Sequence, residues 1–476
     1  MERLNYVYME LAEWIERGIA KGEFHAGEKL PSLRILHRRT GKSMTTVYHA
    51  YMELERRGLV TCYPRSGFVI NPGTRRFHLP EGRPGNIYPT PVPQTDLLSN
   101  LLGSLSDPSI LPLGCAYASS DLMPGKHLSR IMRGLLSREP DSVVAYEDPA
   151  GNYGLRNYIA RWISGRTGNI SPGDIVIVNG GTEAIYIALK AVAERGDSIL
   201  IESPAYPGVL QIMEEMGLFA LEIPTDPVRG IDLASVREIA DRESVKACFL
   251  TATVQNPMGY VMAEKDMKQL VSFLASRNIP IIEDDTYGEL VFGGRKPSSL
   301  KYYDEKGLVI YLSSFSKTVG GGLRVAYLIP GQFFDMVRKI KTDLSLTSTT
   351  VTQKVLAEFI CQGGLDRHLR KLTNSCRINL DLALKAVDDY FPDTVKVSSP
   401  AGGFLLWIEM PKGMDSMDVF GKAWEKGISI YPGAAFSVTG LYDNCFRINC
   451  GNTWNIRIED GFRTLGGIVR NLCDEG

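Results

Sequence analysis

Apolar residues recur at helical spacing from the start of the chain. Leu4, Val7, Leu11, Ile15 and Ile19 fall on one face and Gly22 ends the run, which predicts an amphipathic helix. A second, short helix is predicted from Pro31-Ser32 to Gly41. Ser43 then caps a third, in which Met44, Val47, Ala50, Tyr51 and Leu54 form the buried stripe and Gly58 supplies the stop. Two short helices joined across Thr40-Gly41-Lys42 make a helix-turn-helix. The following LVTCYPRSGFVI is two β-prone runs around Pro64-Arg65-Ser66-Gly67, a hairpin and hence a wing. From Asn71 to Pro112 the pattern gives way to Pro, Gly, Ser and Asn with little periodicity, which reads as a semi-extended linker. Beyond it, helical segments alternate with short β-branched runs: IVIVNG, SILIES, ACFLTAT, PIIEDD, GLVIYLSS and RVAYLIP. That alternation predicts an open, mainly parallel α/β sheet flanked by helices. The expected organisation is a winged helix-turn-helix over 1–70, a linker over 71–112 and a large α/β domain over 113–476.

Length agrees with this division, since 476 residues exceed one ordinary domain. No apolar run reaches the roughly 18 residues of a membrane span, and the first residues lack the pattern of a signal peptide, so a cytoplasmic protein with no membrane contact is expected. The eight cysteines show no C-x-x-C spacing, and neither a disulfide nor a metal site is expected. Charge is nearly balanced overall but unevenly placed. Residues 1–80 carry 13 Lys+Arg against 8 Asp+Glu, and seven of those cations lie between Leu30 and Gly67. A basic head on an acidic body fits a nucleic-acid-binding module, although a solvated helix surface is the plainer alternative.

A recognition helix requires polar side chains near its start for base edges and cations nearby for phosphates. Ser43, Thr45, Thr46, Tyr48 and His49 occupy one side of the third helix, and Arg34, Arg38 and Arg39 lie on the second. The stretch LPSLRILHRRTGKSMTTVYHAYMELERRGLVTCYPRSGFV resembles the GntR family of winged helix-turn-helix regulators. The resemblance implies double-stranded DNA as partner, contacted by Arg34 from the second helix and by Thr45 and Thr46 from the third. It also implies that Gly67 lets the wing approach the DNA backbone. Met44 and Tyr48 stand where the family often has arginine, which removes two readers of guanine.

In the body, four separated segments each supply part of a cofactor site. Lys317, in YLSSFSK, follows a strand; a lysine carries an aldehyde as a Schiff base only when its amine is held at the site and partly desolvated. Asp284 ends the buried run PIIED, where a carboxylate is costly unless it meets a cation such as a protonated pyridine nitrogen. A capping role for Asp284 or Asp285 is the alternative. Tyr287 and Asn256 are within reach of a ring oxygen. VIVNGGTEAIYIAL is a strand, a Gly-Gly-Thr turn and a helix, a cradle for phosphate at Gly181 and Thr182, with Ser314, Ser316 and Arg324 to complete it. Tyr206 is placed to stack on a flat ring or to pack in the core. Arg447 is a cation in an apolar strand, a position that a substrate carboxylate would compensate.

Together these segments resemble the aspartate aminotransferase superfamily, fold type I, from about Gly114 to the C-terminus, which implies pyridoxal 5′-phosphate and a smaller C-terminal α+β subdomain. The resemblance implies that Lys317 bonds the cofactor and Asp284 pairs with its pyridine nitrogen. Asn256 and Tyr287 then contact the ring oxygen, and Tyr206 stacks. Gly181, Thr182, Ser314, Ser316 and Arg324 hold the phosphate, and Arg447 takes an α-carboxylate. Tyr146, in YEDPAGNYGLR, matches the tyrosine that reaches the phosphate from a neighbouring subunit. Met258 departs from the threonine usual there. Head and body together resemble the MocR subfamily of GntR regulators. That likeness implies a domain-swapped homodimer whose body senses a small amino compound, or the cofactor itself, through aldimine exchange. An active aminotransferase carrying a DNA-binding head is the alternative.

Overall fold

The computed structural model describes residues 7–20, 28–56, 59–63, 67–70, 78–92, 103, 107–293 and 296–475. In the N-terminal unit, α1 (Val7–Ala20), α2 (Leu33–Thr40) and α3 (Met44–Arg56) precede an antiparallel hairpin of β1 (Val60–Tyr63) and β2 (Gly67–Ile70). Leu11, Ile15, Leu36, Val47, Ala50, Tyr51 and Leu54 bury against one another and against Phe68 of the wing. Tyr51 donates its hydroxyl proton to the Pro31 carbonyl at 2.7 Å, so the largest ring of this core has its polar tip satisfied. Gly41, at φ +66°, closes α2 by donating its N–H to the His37 carbonyl at 2.9 Å. The Ser43 hydroxyl accepts from the Thr46 N–H at 3.1 Å and opens α3.

Met44 departs from the expected stripe: it is 39 % exposed. Helical side chains lean toward the N-terminus, so the first residue of α3 reaches beyond the helix start instead of onto the core. Leu4, Gly22, Gly58 and the wing residues 64–66 lie outside the described residues, as do the side chains of Val7 and Ile19.

The body is organised on a nine-stranded sheet. In spatial order it runs β3 (Thr90–Pro91), β7 (Phe219–Asp226), β6 (Ser198–Ser203), β9 (Val245–Leu250), β10 (Ile281–Asp284), β11 (Val309–Ser314), β12 (Ala326–Ile329) and β5 (Val176–Val178), with β8 (Gly230–Ile231) on β7. Strands β7, β6, β9, β10 and β11 are parallel; β12 runs antiparallel to both of its neighbours, β11 and β5, so β5 has the direction of the central strands, and β3 is antiparallel to β7. Central strands with both faces covered read as the continuous apolar runs seen in the sequence. The return to β12 is antiparallel because the connection from β11 holds only short turns and no crossover helix. A second, antiparallel sheet of β13 (Lys396–Val397), β14 (Leu405–Glu409), β17 (Cys445–Asn449) and β16 (Tyr431–Pro432) forms the C-terminal α+β subdomain, flanked by helices Ser416–Glu425 and Ile456–Glu475.

The stretch expected as linker holds body structure. Thr90–Pro91 is an edge strand on β7, the Glu222 N–H donates to the Asn86 carbonyl at 2.8 Å, and β4 (Leu111–Pro112) pairs with β15 (Ile428–Ser429). An edge strand accepts an extended, proline-containing chain because its outer backbone groups are unpaired and proline is tolerated there.

Candidate functional site

Lys317 sits in the turn Ser316–Gly320 that directly follows β11, and its amine donates to the Ala116 carbonyl at 2.5 Å. Burial, and after it the nearby Arg447 cation, push the amine down to about 8. It faces a recess whose lining includes Gly181, Thr182, Tyr206, Asn256, Asp284, Tyr287, Ser314, Ser316 and Arg324. Five separated stretches of the chain therefore converge where strand ends meet helix starts, the usual location of a ligand in an open α/β sheet.

The phosphate end is built by backbone. Helix Gly181–Val192 has Gly180 as its N-cap, at φ +100° and without a side-chain cap, so its first N–H groups are left for an anion. A Cβ on Gly180 would run into the Arg324 guanidinium, which donates to the Asn179 carbonyl at 3.0 Å; only glycine lets that cation close over the turn. The Ser314 and Ser316 hydroxyls are 3.0 Å apart beside it.

At the other end, Asp284 is 8 % exposed and accepts from the Thr286 N–H at 3.0 Å. Burial raises its carboxyl above the usual range, and among the described residues no Lys or Arg forms an ion pair with it. Its two acidic neighbours are occupied elsewhere. Asp285 takes a two-pronged grip from Arg166 at 2.6 and 2.9 Å plus the Tyr311 hydroxyl at 2.7 Å, and Glu283 accepts the N–H groups of Leu300 and Lys301. Only the middle carboxylate of the EDD run is thus directed at the recess. The Tyr287 hydroxyl is buried without a hydrogen-bond partner among the described residues.

Arg447 lies on β17, 2 % exposed, donating to Asn256 Oδ1 at 2.9 Å and to the Gly114 carbonyl at 2.7 Å, with Nε unpartnered among the described residues. The rings of Tyr431 and Phe436 pack on its guanidinium at 4.8 and 5.4 Å. Tyr146 stands apart, 84 % exposed and outside the recess. Thr251 and Thr286 also line the recess and escaped the sequence reading. Their only signal is position, at the C-terminal ends of β9 and β10.

In the head, Arg34, Ser43, Thr45, Tyr48 and Gly67 are exposed and Thr46 is half-buried. The Thr46 hydroxyl lies 2.8 Å from that of Ser43, so both groups are engaged in capping α3. Gly67 adopts φ +94°, a conformation that side chains rarely take.

Fold and recess define the class: a fold type I pyridoxal-phosphate-binding body joined to a winged helix-turn-helix. The family described as aminotransferase class I and II matches residues 123–458, and that described as bacterial regulatory proteins, gntR family, matches residues 7–70. The chain is 33% identical over 469 residues, 98% of its length and 99% of the other, to an uncharacterized HTH-type transcriptional regulator, YjiR, of Escherichia coli (strain K12). It is 28% identical over 383 residues, 80% of its length and 95% of the other, to a 2-aminoadipate transaminase of Thermus thermophilus. Among solved structures it resembles LysN, an α-aminoadipate aminotransferase of Thermus thermophilus complexed with N-(5′-phosphopyridoxyl)-L-leucine. There the TM-score is 0.75 and identity 26%, covering 80% of this chain and 96% of that one. The chain belongs to the family of helix-turn-helix regulators that join a gntR head to an aminotransferase class I and II body.

Pyridoxal 5′-phosphate is the cofactor of this body, and the residues present fit it. A buried acid with no ion pair among the described residues, an orphaned buried phenol, an uncapped helix start under an arginine and a buried amine stand around one recess.

Proposed function

We propose that this chain is a DNA-binding transcription regulator whose body reads a small amino compound. The observation that carries the proposal is a lysine amine buried in a recess lined by an acid, two hydroxyls and an open helix start, within a chain that also bears a helix-turn-helix. Bound there, pyridoxal 5′-phosphate supplies an aldehyde that condenses reversibly with primary amines. Lys317 would hold the cofactor through its amine. Asp284 would face the ring nitrogen, Tyr287 and Asn256 the ring oxygen, and Tyr206 the ring itself. Gly181, Thr182, Ser314, Ser316 and Arg324 hold the phosphate. Arg447 takes the ligand's carboxylate, a role supported by its burial and unpartnered Nε, so the ligand class is an α-amino acid. A ligand preferring one of two body conformations then shifts the heads between DNA-binding states.

In the head, Arg34, Ser43, Thr45, Thr46, Tyr48 and Gly67 form the DNA face. The working unit is a cytoplasmic, domain-swapped homodimer in which Tyr146 completes the partner's phosphate site; its exposure in the single chain supports this. Among the described residues no helix is long and apolar enough to cross a membrane.

The test is a titration of the holoprotein with α-amino acids and with free cofactor, following cofactor absorbance and duplex-DNA affinity together. Coupled changes support the regulator. The complete set of site residues also favours a second reading, an aminotransferase. Steady multiple turnover with an amino donor and a keto acid, at constant DNA affinity, would establish it instead.

A further inference from the structure

The segment 78–92 is held by both parts of the body, and Arg83 is the junction. Before it, the chain is tied to the C-terminal subdomain: the Val397 N–H donates to the His78 carbonyl at 3.1 Å, the Glu81 N–H to Glu409 at 2.8 Å, and Lys396 pairs with Glu81 at 2.7 Å. After it, the chain lies on the edge of the large sheet. Asn86 accepts from Glu222, Thr90 pairs with Ala220, and a Cβ on Gly85 would collide with the Glu222 carbonyl. Arg83 does both at once. Its backbone bridges to Thr225 of β7. Its guanidinium donates to the Leu441 carbonyl and, at 2.7 Å, to Asn444 Oδ1, lies 3.7 Å from Glu409, and sits 5.1 Å from the Tyr442 ring centre.

Asn444 immediately precedes β17, the strand that carries Arg447. A strand advances roughly 3.4 Å per residue, so Asn444 lies about three residues from Arg447 at the end of one continuous extended stretch. The same short segment leads N-terminally to residues 71–77 and the head.

We propose that Arg83 is a positioning residue that couples the ligand-binding strand β17 to the chain segment leading to the DNA-binding head. A carboxylate on Arg447 moves β17 against the large sheet, and Arg83, gripped on one side and paired on the other, passes that displacement into segment 78–92. This inference rests on the reading of Arg447 as the carboxylate site.

The experiment uses full-length holoprotein, an equimolar mixture of the common L-α-amino acids as probe, and hydrogen–deuterium exchange alongside cofactor absorbance. In the wild type, the mixture should alter absorbance and change amide exchange in residues 81–90 and at Glu222 by threefold or more. In Arg83→Gln the absorbance response should keep its midpoint within twofold, and the exchange change should vanish. Should Arg83→Gln lose its cofactor, Arg83→Lys replaces it, keeping charge without the double grip. Exchange that is unmoved in the wild type, or moved equally in the variant, overturns the coupling. Absorbance that ignores the mixture overturns both the ligand reading and the coupling. With duplex-DNA affinity measured on the same samples, Arg83-dependent exchange at constant affinity leaves the coupling standing and overturns control of DNA binding by the amino acid.

Discussion

Arg447 helps to set the chemistry of Lys317. The amine is brought down to about 8 chiefly by burial and then by the Arg447 cation, and only the unprotonated amine attacks an aldehyde. The rate at which apoprotein takes up cofactor should therefore rise about tenfold per pH unit below that value and level off above it. Arg447→Met removes a positive neighbour and should move the plateau to higher pH; stopped-flow absorbance across a pH series reads both. Behind the recess, Arg166 satisfies Asp285 in a site where both side chains are over nine-tenths buried. Arg166→Met leaves that carboxylate uncompensated, at a cost of about 3–5 kcal/mol. Thermal unfolding should show a large loss of stability that Arg166→Met/Asp285→Asn mostly restores. None of this partition was legible in the sequence. The run EDD shows three acids at a strand end, but which one faces a ligand depends on Arg166, more than a hundred positions away. The placement of Lys317 and Asp284 at the recess was legible because one directly follows a strand and the other is an acid ending a buried one, costly without a partner.

The recognition helix α3 begins with a cap shared by Ser43 and Thr46. Ser43→Ala should cost the head about 1 kcal/mol, so DNA affinity should fall while cofactor absorbance stays unchanged. Arg34→Ala, removing an exposed cation from α2, should weaken duplex binding and flatten its salt dependence by about one unit of slope. The exposed Met44 stands at the start of the same helix; Met44→Arg should do the reverse, and anisotropy titrations at several salt concentrations distinguish the two. Periodicity placed the three head helices and the wing well because each carries its own stripe and its own stop. It failed where an element depends on a distant neighbour. Thr90–Pro91 is a strand only because β7 offers an edge, and the antiparallel direction of β12 follows from the connection before it, which no apolar pattern encodes.

At the scale of the molecule, the single chain leaves unexplained the most exposed aromatic side chain among the described residues. Tyr146 is 84 % exposed beside Val144 at 86 %, a pair of large apolar groups whose exposure suits a subunit interface. If Tyr146 serves the partner's recess, each site is a composite of Lys317 from one chain and Tyr146 from the other. Lys317→Ala and Tyr146→Ala homodimers should then both bind cofactor poorly. In a mixed dimer the two lesions fall in the same site, and the other site is intact. Random re-association of equal amounts should restore native cofactor affinity to about a quarter of all sites, countable by absorbance after dialysis. If Tyr146 acts within its own chain, every site of the mixture retains one lesion and re-association restores nothing. If each site is composite in this way, a ligand bound in one body would be felt by both heads, since a change in either chain would alter the recess of the other.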